Sequence, residues 1–156
     1  MSNIAYYIVK PDDIKTIELI SDWYLKEWNI PAKTTIQQLS ALPIEGVPFQ
    51  VMMALDGLPI ATGGLYNHIA QHDHEPHFKI NGAWFTLIYT TNENQNRGYG
   101  ALLCEKIQDL SKRHGLKSIF LFAYTGETLL KQLGWQQIAR VSSKKRDIPL
   151  MKINLE

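Results

Sequence analysis

The sequence holds a single cysteine, Cys104, so no disulfide can form within the chain. Stability must come from packing, and a reducing, cytoplasmic setting is the natural expectation. An excess of one charge is also lacking. The formal net charge is +1, too small for a field that would draw the chain to nucleic acid or to an anionic membrane. The one basic run, Lys144-Lys145-Arg146, reads as a solvated loop. No apolar run approaches the roughly 18 residues of a membrane span. The opening MSNIAYYIVKPDD has no basic stretch followed by an apolar core, so no secretory leader is expected. Internal repeats, low-complexity tracts and interdomain linkers are absent too. With 156 residues, 45% of them hydrophobic, residues 1–156 read as one domain able to bury a core without staples.

The apolar pattern orders the elements. AYYIVK is short, apolar and rich in strand formers, and Pro11-Asp12-Asp13 supplies a stop and a helix cap. Ile14, Ile17, Ile20, Tyr24 and Trp28 follow at helical spacing. Pro31 interrupts, and Thr34 or Thr35 is expected to cap a second helix running to Leu42. FQVMMALDG and LPIATGGLYNH read as strands joined by a hairpin at Asp56-Gly57. The polar stretch NHIAQHDHEPHFKING reads as a loop. AWFTLIYTT, residues 83–91, has no polar face and suits a central strand covered on both sides.

From Gly98 the pattern turns helical through Leu103, Ile107 and Leu110 until Gly115 ends it. SIFLFAY is another buried strand, GETLLKQLG a short helix, and WQQIARVSS and IPLMKINL an antiparallel pair. The order is β-α-α-β-β-β-α-β-α-β-β. The crossover within residues 83–123 is long enough to make its two strands parallel neighbours. The fold class is α/β or α+β, with one mixed sheet flanked by helices.

The stretch TTNENQNRGYGALL sits where a strand turns into a helix. A helix start leaves several backbone N–H groups unpartnered at the positive end of the dipole, which suits an anion. Gly98 and Gly100 remove two β-carbons there, and Gln95 and Arg97 stand nearby as side-chain donors. A pyrophosphate fits this pattern; a plain strand-to-helix turn fits it as well. GxxxxGK[ST] is absent, and the third glycine of G-x-G-x-x-G would fall on Leu103, so neither nucleotide loop is matched.

Gln95-Asn96-Arg97-Gly98-Tyr99-Gly100, read with its flanks, resembles the Q/R-x-x-G-x-G/A motif of the GCN5-related N-acetyltransferase (GNAT) family. It follows a buried strand and opens a helix, as in that family. SIFLFAY, LLKQLGW and IPLMKINL resemble the family's later elements, so the likeness covers residues 50–156 well and the first third only in element order. The resemblance implies a mostly antiparallel central sheet splayed at its parallel strand pair. It implies acetyl-CoA as acyl donor, with pantetheine along Leu87, Ile88, Tyr89 and Thr90. The pyrophosphate would sit on the amides of Gln95, Asn96, Arg97, Gly98, Tyr99, Gly100 and Ala101. It also allows a homodimer.

Acetyl transfer to an amine needs a deprotonated nucleophile, a donor for the oxyanion and an acid for the thiolate. A strand N–H near Leu87 or Ile88 could be the donor. Many family members place a tyrosine as acid just before the glycine-tryptophan pair, but that position here is Leu130. Tyr124, at the end of SIFLFAY, and water are the substitutes. For the base the candidates lie among His68, His72, Asp73, His74, Glu75 and His77, with His72-Asp73 preferred. His68 and His72 are separated as on one helix face, but the segment does not read as a helix, so no metal is expected. Cys104 reads as packed rather than reactive, which favours direct transfer in a ternary complex. Trp23, Tyr24 and Trp28 lie on the first helix, which commonly borders the acceptor site in this family; they are core residues or a surface for an apolar or cationic amine. Leu130 motivates one alternative, a non-catalytic acyl-CoA-binding or sensing domain; a second is an interaction module that uses the same fold without the coenzyme.

Overall fold

The computed structural model describes residues 3–67, 82–123, 127–143 and 146–155. The elements in chain order are β1 (Ile4–Ile8), α1 (Ile14–Trp28), α2 (Ala32–Ser40), β2 (Phe49–Leu55) and β3 (Leu58–Tyr66). There follow β4 (Trp84–Thr90), a 3-10 turn (Asn92–Asn94), α3 (Tyr99–Arg113), β5 (Ser118–Phe122), α4 (Glu127–Gln132), β6 (Gln136–Ser143) and β7 (Arg146–Asn154). This is the order expected from the apolar pattern. The chain forms two compact units, residues 1–65 with 87–107 and residues 66–86 with 108–156.

In the first unit the strand order is β1-β2-β3-β4, with β1–β2 and β2–β3 antiparallel. The hairpin between β2 and β3 turns at Asp56 and Gly57, with φ of 51° and 84°. Two consecutive left-handed residues are what a two-residue turn needs to match the strand twist, hence the Asp-Gly pair. Strand β2 is buried from Phe49 to Ala54, so the sheet is covered on both faces. Successive residues of β3 show which elements cover it. Thr62 points to the α1 side, where its Oγ1 accepts from Gln50 Nε2 at 2.9 Å, and the same Gln50 nitrogen donates to Tyr24 Oη at 2.9 Å. Gly63 points to the opposite side, where a β-carbon would stand 3.3 Å from Ile107 Cδ1 and 3.5 Å from Leu103 Cδ2. Helix α3 therefore lies close over β3 at a residue without a side chain.

Helix α1 is capped as its sequence suggests: the Asp13 carboxylate accepts from the Thr16 N–H at 3.3 Å. Helix α2 differs from expectation. Neither Thr34 nor Thr35 caps it. The helix starts at Ala32, the Pro31 carbonyl accepts from the Thr34 and Thr35 N–H groups, and Thr35 is buried within the helix. Proline has no N–H to leave unpaired and its fixed φ suits a helix entrance, so the residue that breaks the preceding pattern also begins the next helix.

In the second unit the order is β4-β5-β7-β6. Strands β5–β7 and β6–β7 are antiparallel, and β4–β5 is parallel, registered at Trp84↔Phe120. Trp84, Phe120 and Leu150 form a buried cluster. Trp84 stacks on Phe122 at 5.1 Å, and Trp135 meets Phe85 edge-on at 6.4 Å. Outside this core Arg140 ties Glu127 of α4 to Asp147 of β7. The mixed, mostly antiparallel sheet with flanking helices is the expected fold class.

Gln50 is fully buried and its Nε2 donates to the Tyr24 and Thr62 hydroxyls. A Gln50→Leu variant should lose roughly 1–3 kcal/mol of stability, because partners desolvated in the core lose their donor. Urea unfolding checks this as a lower midpoint at unchanged slope.

Candidate functional site

The end of β4 and the start of α3 are joined by a loop that its own side chains brace. The Thr91 N–H donates to the Ile60 carbonyl at 2.8 Å, which anchors the strand end to β3. Asn94 folds back on Thr91 through its backbone N–H (2.9 Å) and through Nδ2 to Thr91 Oγ1 (2.7 Å). Gln95 Nε2 donates to the Thr90 carbonyl at 3.0 Å and to Asn92 Oδ1 at 3.3 Å. Both amide protons of Gln95 are thus engaged inside the loop. Its side chain is a brace and not the free donor that its place in the motif suggests. Arg97 is exposed.

Asn96 and Gly98 adopt left-handed φ values of 62° and 84°. These sharp changes of direction bring the chain to the helix axis. The Gly98 carbonyl accepts from the Leu102 N–H at 3.2 Å, which makes Gly98 the cap residue of α3. Among the described residues no acceptor meets the N–H groups of Tyr99, Gly100 or Ala101 in the first turn. Those amides stand at the positive end of a helix that runs to Arg113.

The two motif glycines have different reasons to be there. Gly98 is required by its backbone angle, so a plain turn would ask for it. Gly100 lies inside the helix, has no positive φ, and a β-carbon on it would meet no atom within 4 Å. The fold gives no reason for a residue that weakens a helix by roughly 0.5–1 kcal/mol relative to alanine. Its effect is to leave the first-turn amides open to close approach by a ligand oxygen. On this observation the loop fits a pyrophosphate group.

Strand β4 presents different chemistry on its two sides. Ile88 points toward the α3 side, its Cγ1 3.5 Å from where a Gly63 β-carbon would stand, and it is 36% exposed. Tyr89 points toward α1. Its ring lies 5.2 Å from Trp23 and 6.3 Å, edge-on, from Trp28, which itself packs on Tyr24 at 5.1 Å. The Tyr89 phenol is raised above the ordinary tyrosine range, first by burial and then by the carboxylates of Glu27, Glu93 and Asp22, with Lys26 opposing. It therefore stays protonated at neutral pH. Glu27 and Glu93 carry no motif, and their joint effect on the Tyr89 phenol exists in the fold alone.

The proposed catalytic residues Tyr124, His72 and Asp73 lie outside the described residues, as do His68, His74, Glu75 and His77. Leu130 is half-buried on α4, in the second unit, where its carbonyl accepts the Leu133 and Trp135 N–H groups. Cys104 is buried in the first turns of α3. Among the described residues no group of three histidine, cysteine or carboxylate side chains could hold a metal ion, and no helix is long and apolar enough to cross a membrane.

No family model matches the sequence, and no curated protein matches it either. Solved structures do match in fold. A GNAT-family acetyltransferase from Streptococcus pneumoniae is similar with a TM-score of 0.72 at 13% identity, over 99% of this chain and 100% of that one. Salmonella typhimurium yncA, solved with its cofactor acetyl-CoA, gives 0.71 at 15% identity over 99% and 95%. An acyl-CoA N-acyltransferase from Pseudomonas aeruginosa gives 0.67 at 15% identity over 97% and 99%. The chain has the fold of the GNAT N-acetyltransferases.

If Gly100 serves a ligand and not the fold, Gly100→Ala should raise stability by roughly 0.5–1 kcal/mol. Thermal unfolding measures it. A lower melting temperature would return Gly100 to a structural role.

Proposed function

We propose that residues 1–156 act as a single acyl-CoA-dependent N-acetyltransferase domain of the GNAT family, moving an acetyl group from acetyl-CoA to an amine in a ternary complex. The observation that carries this reading is Gly100: a helix-weakening residue at an open helix start, beside amides that no acceptor among the described residues meets, in a fold shared with acetyltransferases. The amides of Gln95, Asn96, Arg97, Gly98, Tyr99, Gly100 and Ala101 would hold the pyrophosphate. The β4 backbone from Leu87 through Thr90 would hold the pantetheine. When bound, acetyl-CoA supplies the acyl group as a thioester.

The chain's own part is to orient and to manage protons. A strand N–H at Leu87 or Ile88 would donate to the carbonyl oxygen. Tyr89 offers a hydroxyl that remains a proton donor at neutral pH. Tyr124 remains the candidate acid, and His72 with Asp73 the candidate base for an amine whose pKa is otherwise ~10.4. Buried Cys104 favours direct transfer over an acyl-cysteine route. A lone, buried thiol also suits a cytoplasmic setting. Leu130 favours one rival, a domain that binds acyl-CoA without turnover, because leucine has no proton to give.

Calorimetric titration with acetyl-CoA tests the reading. The native chain should bind, and Gly100→Val, which imposes no left-handed strain, should fold and fail to bind. A native chain that folds and does not bind acetyl-CoA sinks the proposal. Leu130→Tyr then separates enzyme from sensor. In an enzyme short of its acid, amine-dependent thiol release should rise, within the ~10²–10⁴-fold range of acid catalysis. Release that stays at zero over a broad amine panel favours the sensor.

A further inference from the structure

Strand β1 is the outer strand of the first unit, paired on one side only, with β2. Its residues are Ile4-Ala5-Tyr6-Tyr7-Ile8, without a charge, a proline or a glycine, and none of them is buried. Ile4 and Tyr7 are 37% and 38% exposed. Its neighbour β2, by contrast, is buried from Phe49 to Ala54. The strand is nevertheless held at both ends. The Asn3 carbonyl accepts from the Asp56 N–H at 2.8 Å, the Asn3 N–H donates to Asp56 Oδ1 at 2.7 Å, and the Val9 N–H donates to the Gln50 carbonyl at 2.9 Å. Between these clamps the register with β2 runs without a shift from Ile4↔Leu55 to Ile8↔Val51.

The end bonds fix which backbone groups are spare. Asn3 and Val9 bond toward β2, and in an antiparallel pair such residues alternate with ones whose groups turn away. Ile4, Tyr6 and Ile8 therefore direct N–H and C=O outward, where no strand among the described residues meets them. A row of such groups is a template for a further strand. The outer strand of the second unit is protected in a way that β1 is not. Strand β6 has a register shift between Gln137 and Ala139, and its Arg140 pairs with Asp147 at 2.8 Å. A bulge and a charge both oppose strand addition, and β1 has neither.

We propose that two copies of this chain associate through β1, strand against antiparallel strand, about a twofold axis at Tyr6. The spare groups set the register. Pairing centred on Tyr6 places Ile4 opposite the second copy's Ile8, Ala5 opposite its Tyr7, and Tyr6 opposite its Tyr6. This register engages all three outward-facing residues of both strands. A twofold contact opposes a central residue to itself, so a charge there would meet its like and repel it. Tyr6 carries none, and the Lys106 ammonium of α3 lies over the face of the Tyr6 ring, 5.4 Å from its centre. A foreign peptide would satisfy the same backbone groups, but it would not require an uncharged strand that is its own complement. The contact does not depend on the transferase reading.

Sedimentation equilibrium of the full chain, from micromolar to millimolar concentration, tests the association. The mass should rise toward twice that of one chain. Ala5→Lys, at an exposed position, should keep the native circular dichroism and sediment as one chain over the same range. Gln136→Lys, exposed on β6, should leave the dimer intact. Cysteine cross-linking reads the register independently, since the native Cys104 is buried. Ala5→Cys mixed with Tyr7→Cys should form a disulfide-linked pair, because Cα atoms opposite each other at such positions stand roughly 4.5 Å apart. Either variant alone should not, because equal residue numbers lie two residues out of step, beyond the ~7 Å that a disulfide spans. A native chain that stays single at every concentration overturns the proposal. So does a dimer that survives Ala5→Lys, or cross-linking as efficient in each variant alone as in the mixture.

Discussion

Side-chain alternation along β4 is the constraint on which the candidate site depends. In a strand, neighbouring residues point to opposite faces. Ile88 therefore goes to the α3 side and Tyr89 to the α1 side. A helix covers each side, and β2 and β3 are buried on both faces, largely by apolar residues that cannot be left in water. One short stretch of strand thus meets a helix start through its loop and an aromatic cluster through its side chain. A register slip by one residue would exchange the two environments and leave neither site intact.

Close packing on one side and open space on the other follow from two glycines used oppositely. Gly63 lets α3 settle against the sheet, with Ile107 and Leu103 where a side chain would stand. Gly100, at the start of the same helix, faces no neighbour. The first serves the core and the second does not. This contrast separates a glycine that packing requires from one that packs against nothing, in a way that a G-x-G pattern cannot. The braced loop adds to it: Asn94 and Gln95 spend their side-chain bonds on the loop itself, so its backbone amides are held in position before any ligand arrives. A preorganised donor set does not have to be ordered on binding.

The element order and the hairpin at Asp56-Gly57 were legible in the sequence, because apolar periodicity and turn chemistry are local properties. So was the helix start at Gly98. The cap of α2 was misread, since Thr34 and Thr35 look like caps on composition alone while Pro31 does the task through its carbonyl. Gln95 was misread for a similar reason: a residue type shows which bonds it can make, not which ones its neighbours claim. The catalytic candidates Tyr124, His72 and Asp73 lie outside the described residues.

By itself, then, the sequence determined where strands and helices lie, that the chain needs neither disulfides nor a membrane-spanning helix to bury its core, and that one strand-to-helix turn has the composition of an anion seat. Tertiary structure alone decided that Gly100 has open space beside it, and that Glu27 and Glu93, from segments far apart in the chain, both raise the Tyr89 phenol. The reason is physical. Periodicity and capping act over a few residues, whereas the free space at one atom and the charge around another are sums over everything the fold brings near.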